Sequence, residues 1–545
     1  MMSKEIKEKL KSLIAGEVLN DNKTLDDYSR DASLFEVRPE LVIAPKNSAD
    51  IQKLVSFVSK NPKLKLSITP RSGGTCMAGG PLTESIVLDV NKHLNHVKAV
   101  GNGYAITEPG VFYRDFEKLT LMKGQLMPSY PASREICTVG GMVGNNAGGE
   151  KTLSYGKTED YVMEIKAVLA DGKEYLIKPL TAKELKKKIA KKDIEGKIYK
   201  QVFDLIEKNY ELIHGAKPAV SKNSSGYFLW NVWNRKTFDL TKLFTGSQGT
   251  LGIITEIKFR LIKPKPRSKM LVIFLKDLKV LGGIVNAVLE HKPETFESYD
   301  NNTLKLVFRF LPGMIKALKT NIFSLAWKFL PEAWTLLTYG IPKLILIAEF
   351  TGDNDAEVAE QALAAKKALK QFPVRTHLTR NPAEAKKYWV IRRESFNLLR
   401  HHVKNMRTAP FIDDLTVQPK LLPEFLPKLN EIMAQYKLTY TITGHVGDGN
   451  FHIIPLVKAG DPKNRKIYTE LSEKVYDLVF QFRGSMSGEP NDGLIRSPFL
   501  EKMYGKKVYA LFEKTKKIFD PKNIFNPGKK VGSSFKYAMD HLARS

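Results

Sequence analysis

Cysteine is nearly missing from this chain. Cys76 and Cys137 are the two in 545 residues, which excludes a disulfide scaffold and any cysteine-ligated iron–sulfur cluster within it. Apolar runs long enough to span a bilayer, about twenty residues, are missing too. No Gly-x-Gly-x-x-Gly stands between a predicted strand and helix, which argues against a Rossmann dinucleotide fold. Gly144 and Gly149 have the spacing of a nucleotide-binding P-loop, but Glu150 stands where that loop needs lysine. The start, Met-Met-Ser-Lys-Glu-Ile-Lys-Glu, has no apolar core of the kind a secretory signal needs, so residence on the cytoplasmic side is expected. Acid is short relative to base: 58 against 86 residues give +28, a field that attracts nucleic acid, anionic lipid or small anionic substrates. No nucleic-acid recognition module accompanies that charge, so no nucleic-acid partner is expected.

What is present is glycine in clusters. Thr69-Pro70-Arg71-Ser72-Gly73-Gly74-Thr75-Cys76-Met77-Ala78-Gly79-Gly80 follows the alternating run Leu64, Leu66, Ile68, and its small residues allow a sharp turn with several N–H groups aimed at one spot, as phosphate binding requires. Arg71 adds a fixed positive charge. A second cluster runs from Thr138 to Gly149, and a third from Gly246 to Gly252 feeds a strand that ends near Leu261. Separated glycine loops without either lysine motif suit one long dinucleotide lying across the domain.

The pattern divides the chain into a helical lead-in over 1–35, an α/β part over 36–264 and a second, α+β part over 265–518, entered through Lys263-Pro264-Lys265-Pro266-Arg267. A tail follows over 519–545. In the first part, strands are expected at 41–45, 64–68, 85–90 and 105–108, and a hairpin over 162–177 turns at Asp171-Gly172. In the second, strands are expected at 270–275, 343–350, 438–443 and 450–456, with helices near 278–290, 355–371, 384–399, 420–435 and 463–482. His445 and His452 flank Gly447-Asp448-Gly449, a turn that folds both imidazoles toward one point. With Glu489 they make a two-histidine, one-carboxylate set for a divalent ion such as zinc or manganese. The segment 303–342 interleaves Trp and Phe with lysines. Two readings suit it: an interfacial helix on anionic lipid, attaching the protein peripherally to the inner face of the cell membrane, or an insertion packed into the second domain or a dimer contact.

Pro70-Arg71-Ser72-Gly73-Gly74-Thr75, Cys137-Thr138-Val139-Gly140-Gly141 with Asn146-Ala147-Gly148-Gly149, Gly246-Ser247-Gln248-Gly249-Thr250-Leu251-Gly252, Gly444 to His452, Ser487-Gly488-Glu489 and Asn526-Pro527-Gly528-Lys529 occur in an order and spacing that resemble the FAD-linked oxidases and dehydrogenases of the vanillyl-alcohol-oxidase type. Within them the chain is similar to the D-lactate, glycolate and D-2-hydroxyglutarate dehydrogenases. The resemblance implies an α+β protein with a two-part FAD-binding domain of the PCMH type, then a substrate cap and a C-terminal tail that returns to the flavin. It implies noncovalent FAD held by Arg71, Ser72, Gly73, Gly74, Thr75, Cys76 and Met77 at the pyrophosphate. Thr138, Gly141, Gly144, Asn145, Gly148, Gly149 and Ile254 would line the rest, and Asn526 would close over it.

It further implies oxidation of a small anionic D-2-hydroxy acid, lactate-like, to the 2-oxo acid. Arg392, in Trp389-Val390-Ile391-Arg392, would meet the substrate carboxylate, and His445, His452 and Glu489 would hold the metal and act on the 2-hydroxyl. Electrons would leave to quinone or to an iron–sulfur or electron-transfer protein. Arg393 reads as a solvated neighbour. Pro490 departs from the family, where histidine often follows this glutamate, and leaves base chemistry to His445, His452, the metal-activated hydroxyl or Asp492. The alternatives are an oxygen-using oxidase of another alcohol, or a flavoprotein without turnover that binds a membrane surface or relays electrons.

Overall fold

The computed structural model describes residues 3–301, 340–402, 406–458 and 461–543, with helical backbone alone for 394–402. The expectation for 303–342 lies almost wholly outside the described residues. Among the described residues no helix is long and apolar enough to cross a membrane.

The architecture is α+β. The first sheet has Leu41–Ala44, Ile86–Asp89 and Ile68–Arg71 in parallel, with Glu17–Leu19 added antiparallel at the edge beside Leu41–Ala44. The lead-in therefore supplies a strand as well as the helix Lys4–Leu13. The expected strand over 64–68 begins later. Pro62 starts a single 3-10 turn to Leu64, Lys65 takes a left-handed φ of 52°, and extension resumes at Ile68, which places the glycine segment directly after the strand. The second sheet is antiparallel, in the order Val97–Gly101, Tyr104–Thr107, Ile253–Arg260, Val162–Val168, Glu174–Ile177, and its last two strands are the expected hairpin.

From Arg267 the chain builds an antiparallel sheet, eight-stranded among the described residues, whose centre is Leu344–Gly352, Thr295–Asp300, Thr439–His445 and Asn450–Lys458. The expected strands and helices of this domain are present within a few residues of their places. Thr295–Asp300, with the sequence Thr-Phe-Glu-Ser-Tyr-Asp, is a central strand that the sequence pattern concealed. All six residues are buried, so it lacks the polar–apolar alternation of a half-exposed strand.

The chain returns to the first domain well before 519. Ser224 N donates to Ser487 O, and Leu494 N to Ala78 O. The helical stretch Leu500–Phe519, kinked at Gly505 where φ is 77°, packs its apolar face on the flavin-side core, including Phe512 edge-on to Tyr227. The tail then pairs with the first sheet, where Ile68 N donates to Ile524 O at 2.7 Å and Asn526 N to Ile68 O at 3.0 Å.

Candidate flavin groove and histidine–carboxylate cluster

The three glycine segments converge on one open groove. Ser72, Gly73, Gly74, Thr75 and Cys76 line one side, Thr138, Gly141, Gly144 and Asn145 another, and Gln248 with Ile254 a third. Most of this lining is small side chain and backbone. Gly144 has nothing within 4 Å of where a Cβ would stand, and Gly141 meets nothing nearer than 3.6 Å, so both present bare backbone to open space. The hydroxyl of Thr138 is buried there without a hydrogen-bond partner. An elongated polar ligand that needs close backbone approach and accepts hydrogen bonds fits this cradle, and FAD is such a ligand.

Five residues expected around FAD stand elsewhere. The Arg71 guanidinium donates to the carbonyls of Tyr28 at 3.2 Å and Arg30 at 2.8 Å and stacks 5.0 Å from the Tyr28 ring, so its charge is taken by the N-terminal segment. Met77 is outside the lining. Gly148 and Gly149 pack into protein: a Cβ on Gly149 would lie 2.1 Å from the Tyr130 carbonyl, and one on Gly148 2.8 Å from Thr152 Oγ1. Asn526 is buried beneath the groove, where Nδ2 donates to Gly80 O at 3.0 Å and Gln248 O at 2.7 Å. It ties the first glycine segment to the third and so shapes the groove from below.

The histidines are brought together by strand register. Thr443 pairs with His452 across the hairpin, which puts His445 and His452 diagonally on one face, ring centroids 5.4 Å apart. The turn between them needs glycine at 449: φ is 65°, and a Cβ would sit 1.9 Å from the Val417 carbonyl. Glu489 completes the set, with one ligand atom from each residue lying within 4.8 Å of the others. His445 Nε2 is 3.0 Å from Glu489 Oε1, and His452 Nε2 is 4.0 Å from Oε2.

Both rings are held from behind by carboxylates. His445 Nδ1 meets Glu297 Oε1 at 2.7 Å, since Ser298 pairs with Gly444 and carries Glu297 alongside. His452 Nδ1 meets Asp413 Oδ1 at 3.0 Å. Such partners fix the ring orientation and turn Nε2 inward, as metal-binding histidines require. His445 Nε2 is buried and makes no well-directed hydrogen bond despite its nearness to Glu489. A divalent ion fits an orphaned imidazole nitrogen beside a carboxylate and a second imidazole.

The electrostatics of this cluster are strong. Burial would lower the His445 pKa, but the Glu297 and Glu489 carboxylates outweigh it and raise it to about 9. Against the opposing effect of burial, His445 and Lys222 hold Glu489 well below the usual carboxylate range. Asp414, pushed up by burial, accepts from Glu489 N at 2.8 Å and Ser487 Oγ at 2.9 Å and so fixes the segment that carries Glu489.

Arg392 sits behind the cluster, 7% exposed, with Nη2 3.1 Å from Glu297 Oε2. In this geometry it supports Glu297, which supports His445. Arg393 is exposed, as the solvated reading expects, with 38% of its side chain accessible, yet it also makes a two-point contact with buried Glu150, lies 4.9 Å over Trp389, and ties the cap helix to the flavin domain. Asp492 is sealed from any base role by Lys530, 2.7 Å away, with both side chains fully buried. Glu297, Asp413, Asp414 and Lys222 are site residues that the sequence reading missed. Lys222 touches Gly149 of the second glycine segment only through the fold, and neither it nor the three acids carry a local signal.

The groove and the cluster adjoin. Glu489 belongs to the triad, while the carbonyl of the next residue, Pro490, lies 3.9 Å from Cys76 Sγ in the groove wall. Asn491 Nδ2 then donates to Asn145 O at 3.1 Å and Gly246 O at 3.0 Å.

Comparison with known proteins agrees with this geometry. The family model "FAD binding domain" matches residues 39–177, and "FAD linked oxidases, C-terminal domain" matches 264–530. Among curated proteins, the chain is 27% identical over 517 residues to D-2-hydroxyglutarate dehydrogenase of Escherichia coli (strain K12), covering 92% of this chain and 49% of that protein. It is 26% identical to glycolate oxidase subunit GlcD of Bacillus subtilis (strain 168), with 97% of each chain covered. To D-lactate dehydrogenase of Archaeoglobus fulgidus it is 26% identical over 90% of this chain and 91% of the other. The chain spans about half the length of the D-2-hydroxyglutarate dehydrogenases of Escherichia coli and Pseudomonas putida. Among solved structures, 4-ethylphenol oxidase from Gulosibacter chungangensis superposes with a TM-score of 0.68 over 98% of this chain and 99% of the other, at 16% identity, which shows the fold. A groove of glycine backbone, an adjoining cap and two matched domains in the same order make this chain a member of the FAD-linked oxidase family.

Proposed function

We propose that the protein is an FAD-dependent dehydrogenase that oxidises a D-2-hydroxy acid, lactate-like, to the 2-oxo acid and passes the electrons to quinone or a protein acceptor. The observation that carries the reading is the adjacency of Glu489 in the triad and Pro490, whose carbonyl lies against Cys76 of the groove wall, which sets a hydroxyl-binding cluster beside a flavin-shaped cradle. The relatives' names supply the substrate class.

The groove residues from Ser72 to Cys76, with Thr138, Gly141, Gly144, Asn145 and Ile254, would hold FAD. It would be held noncovalently, because burial pushes the Cys76 thiol up to about 11 and keeps it protonated. His445, His452 and Glu489 would hold zinc or manganese. When bound, FAD supplies the two-electron acceptor and the ion a Lewis acid for the substrate hydroxyl. The remaining work belongs to the chain. Glu297 and Asp413 keep both Nε2 atoms turned inward. Arg392 presents the cation that the substrate carboxylate would share with Glu297. Pro490 offers no proton acceptor, Asp492 is sealed, and imidazole nitrogens that would hold the ion cannot also take the hydroxyl proton; of the two rings His452 is the more open, at 15% against 3% side-chain exposure.

Pro490 also favours a second reading, a flavoprotein without turnover. Anaerobic flavin absorbance on addition of D-lactate, L-lactate, glycolate or D-2-hydroxyglutarate, each with and without zinc or manganese, separates the two. Bleaching by a D-acid is expected. A flavin that none of them bleaches would refute the dehydrogenase reading.

A further inference from the structure

Lys222 is fully enclosed, and its ammonium ends inside the cluster. Nζ donates to Glu489 Oε1 at 2.6 Å and to Gly149 O at 3.1 Å, and stands 3.4 Å from Asp448 Oδ2. Asp448 is the middle of the turn between the two histidines, and Ser221 Oγ donates to its other oxygen at 2.7 Å. One side chain of the flavin domain thus touches the second glycine segment, the histidine hairpin and the triad carboxylate. A buried ammonium is costly unless it is paired, so this one is held by the carboxylates around it.

Lys222 also divides the two oxygens of Glu489. Oε1 accepts from the ammonium and lies 3.0 Å from His445 Nε2 without a directed hydrogen bond, whereas Oε2 faces His452 across 4.0 Å. Building on the metal reading above, we propose that Lys222 is a positioning residue that sets the divalent-ion affinity of the triad. It turns Glu489 so that Oε2 is the oxygen offered to the ion, and it places a fixed positive charge against one ligand, which holds the affinity down. The cluster therefore keeps its shape and charge balance without an ion, and an ion that enters must share Glu489 with the ammonium. Coulomb repulsion over a few ångströms in a protein interior is strong enough to dominate the loss of one orienting hydrogen bond.

The test is a Mn²⁺ titration of the full-length, metal-stripped flavoprotein, read as loss of the free Mn²⁺ signal in electron paramagnetic resonance. K222M should bind Mn²⁺ at least about tenfold more tightly than the unaltered protein, and K222R, which keeps the charge, should bind as the unaltered protein does. E489Q should bind weakly whichever residue stands at 222. Unchanged or weaker binding by folded K222M overturns the proposal. If K222M does not fold, the charge-balanced variant K222M/D448N is compared with D448N alone. Tighter binding by the former supports the proposal, and equal or weaker binding overturns it. Unaltered protein that takes up no Mn²⁺ overturns the metal reading and this inference together, whereas uptake that ignores position 222 overturns this inference alone.

Discussion

Replacing Gly144 by leucine should empty the groove of flavin without unfolding the protein. A Cβ at this position meets nothing within 4 Å and points into the space that Ser72, Thr138 and Gln248 enclose. Gly144 lies in the helix Val139–Asn145, where a residue with a side chain is roughly 0.5–1 kcal/mol better than glycine, so G144A and G144L should keep or slightly raise the stability of the flavin-free protein. If FAD lies against this backbone, the added atoms overpack the complex by about 1–3 kcal/mol, which is roughly a 5- to 150-fold loss of affinity, with G144A at the low end and G144L at the high end. G149A is the control: its Cβ would stand 2.1 Å from the Tyr130 carbonyl, so the backbone must move and the fold itself should lose stability. The assay is reconstitution of deflavinated protein, with FAD affinity from flavin fluorescence and stability from the thermal midpoint of the flavin-free form. A G144L protein that binds FAD as tightly as the unaltered one refutes the groove assignment. One that loses FAD only in step with its thermal midpoint refutes the separation of binding glycines from packing glycines.

E297Q should lower divalent-ion affinity and turnover by about 10- to 100-fold together, because it removes the carboxylate that orients His445 and leaves Arg392 without that partner; equal metal affinity in the two proteins would show that Glu297 only packs. Lys529 carries a pH prediction. Burial lowers its pKa from 10.5 to about 8, with Asp31, Cys76 and Glu84 opposing, and its ammonium donates to Leu82 O at 2.6 Å. The unfolded chain binds this proton more tightly, so stability should rise between about pH 8 and 10.5, by up to about 3 kcal/mol from this residue. K529M should lack that rise. A gap in thermal midpoint between the two proteins that stays constant from pH 7.5 to 10.5 would refute the linkage.

The groove was largely legible in the sequence because its chemistry is local: a run of small residues after a strand says that backbone will approach something. The histidine pair was legible for the same reason, since one turn and one register place both rings. The partners of Arg71 were not legible, because a charge in a motif says nothing of who claims it, and the carbonyls of Tyr28 and Arg30, some forty residues away in sequence, do. Glu297, Asp413 and Asp414 were hidden by the opposite problem. They come from strands and a loop that meet the histidines through sheet pairing, and no local pattern marks a buried acid in Thr-Phe-Glu-Ser-Tyr-Asp as a partner for an imidazole 148 residues later. Glu150 marked the absence of a P-loop, yet its positive role, receiving Arg393 from the cap, needed the fold to be seen.

Asn526 joins Gly80 and Gln248 across 446 and 278 residues of chain. During synthesis, the first and third glycine segments have therefore left the ribosome long before the residue that fastens them together. The cradle stays untied until translation has passed Asn526, so flavin capture waits for the residue that fastens it. Until then the first sheet, whose strand Ile68–Arg71 also waits for Ile524 and Phe525, is exposed to chaperones and proteases.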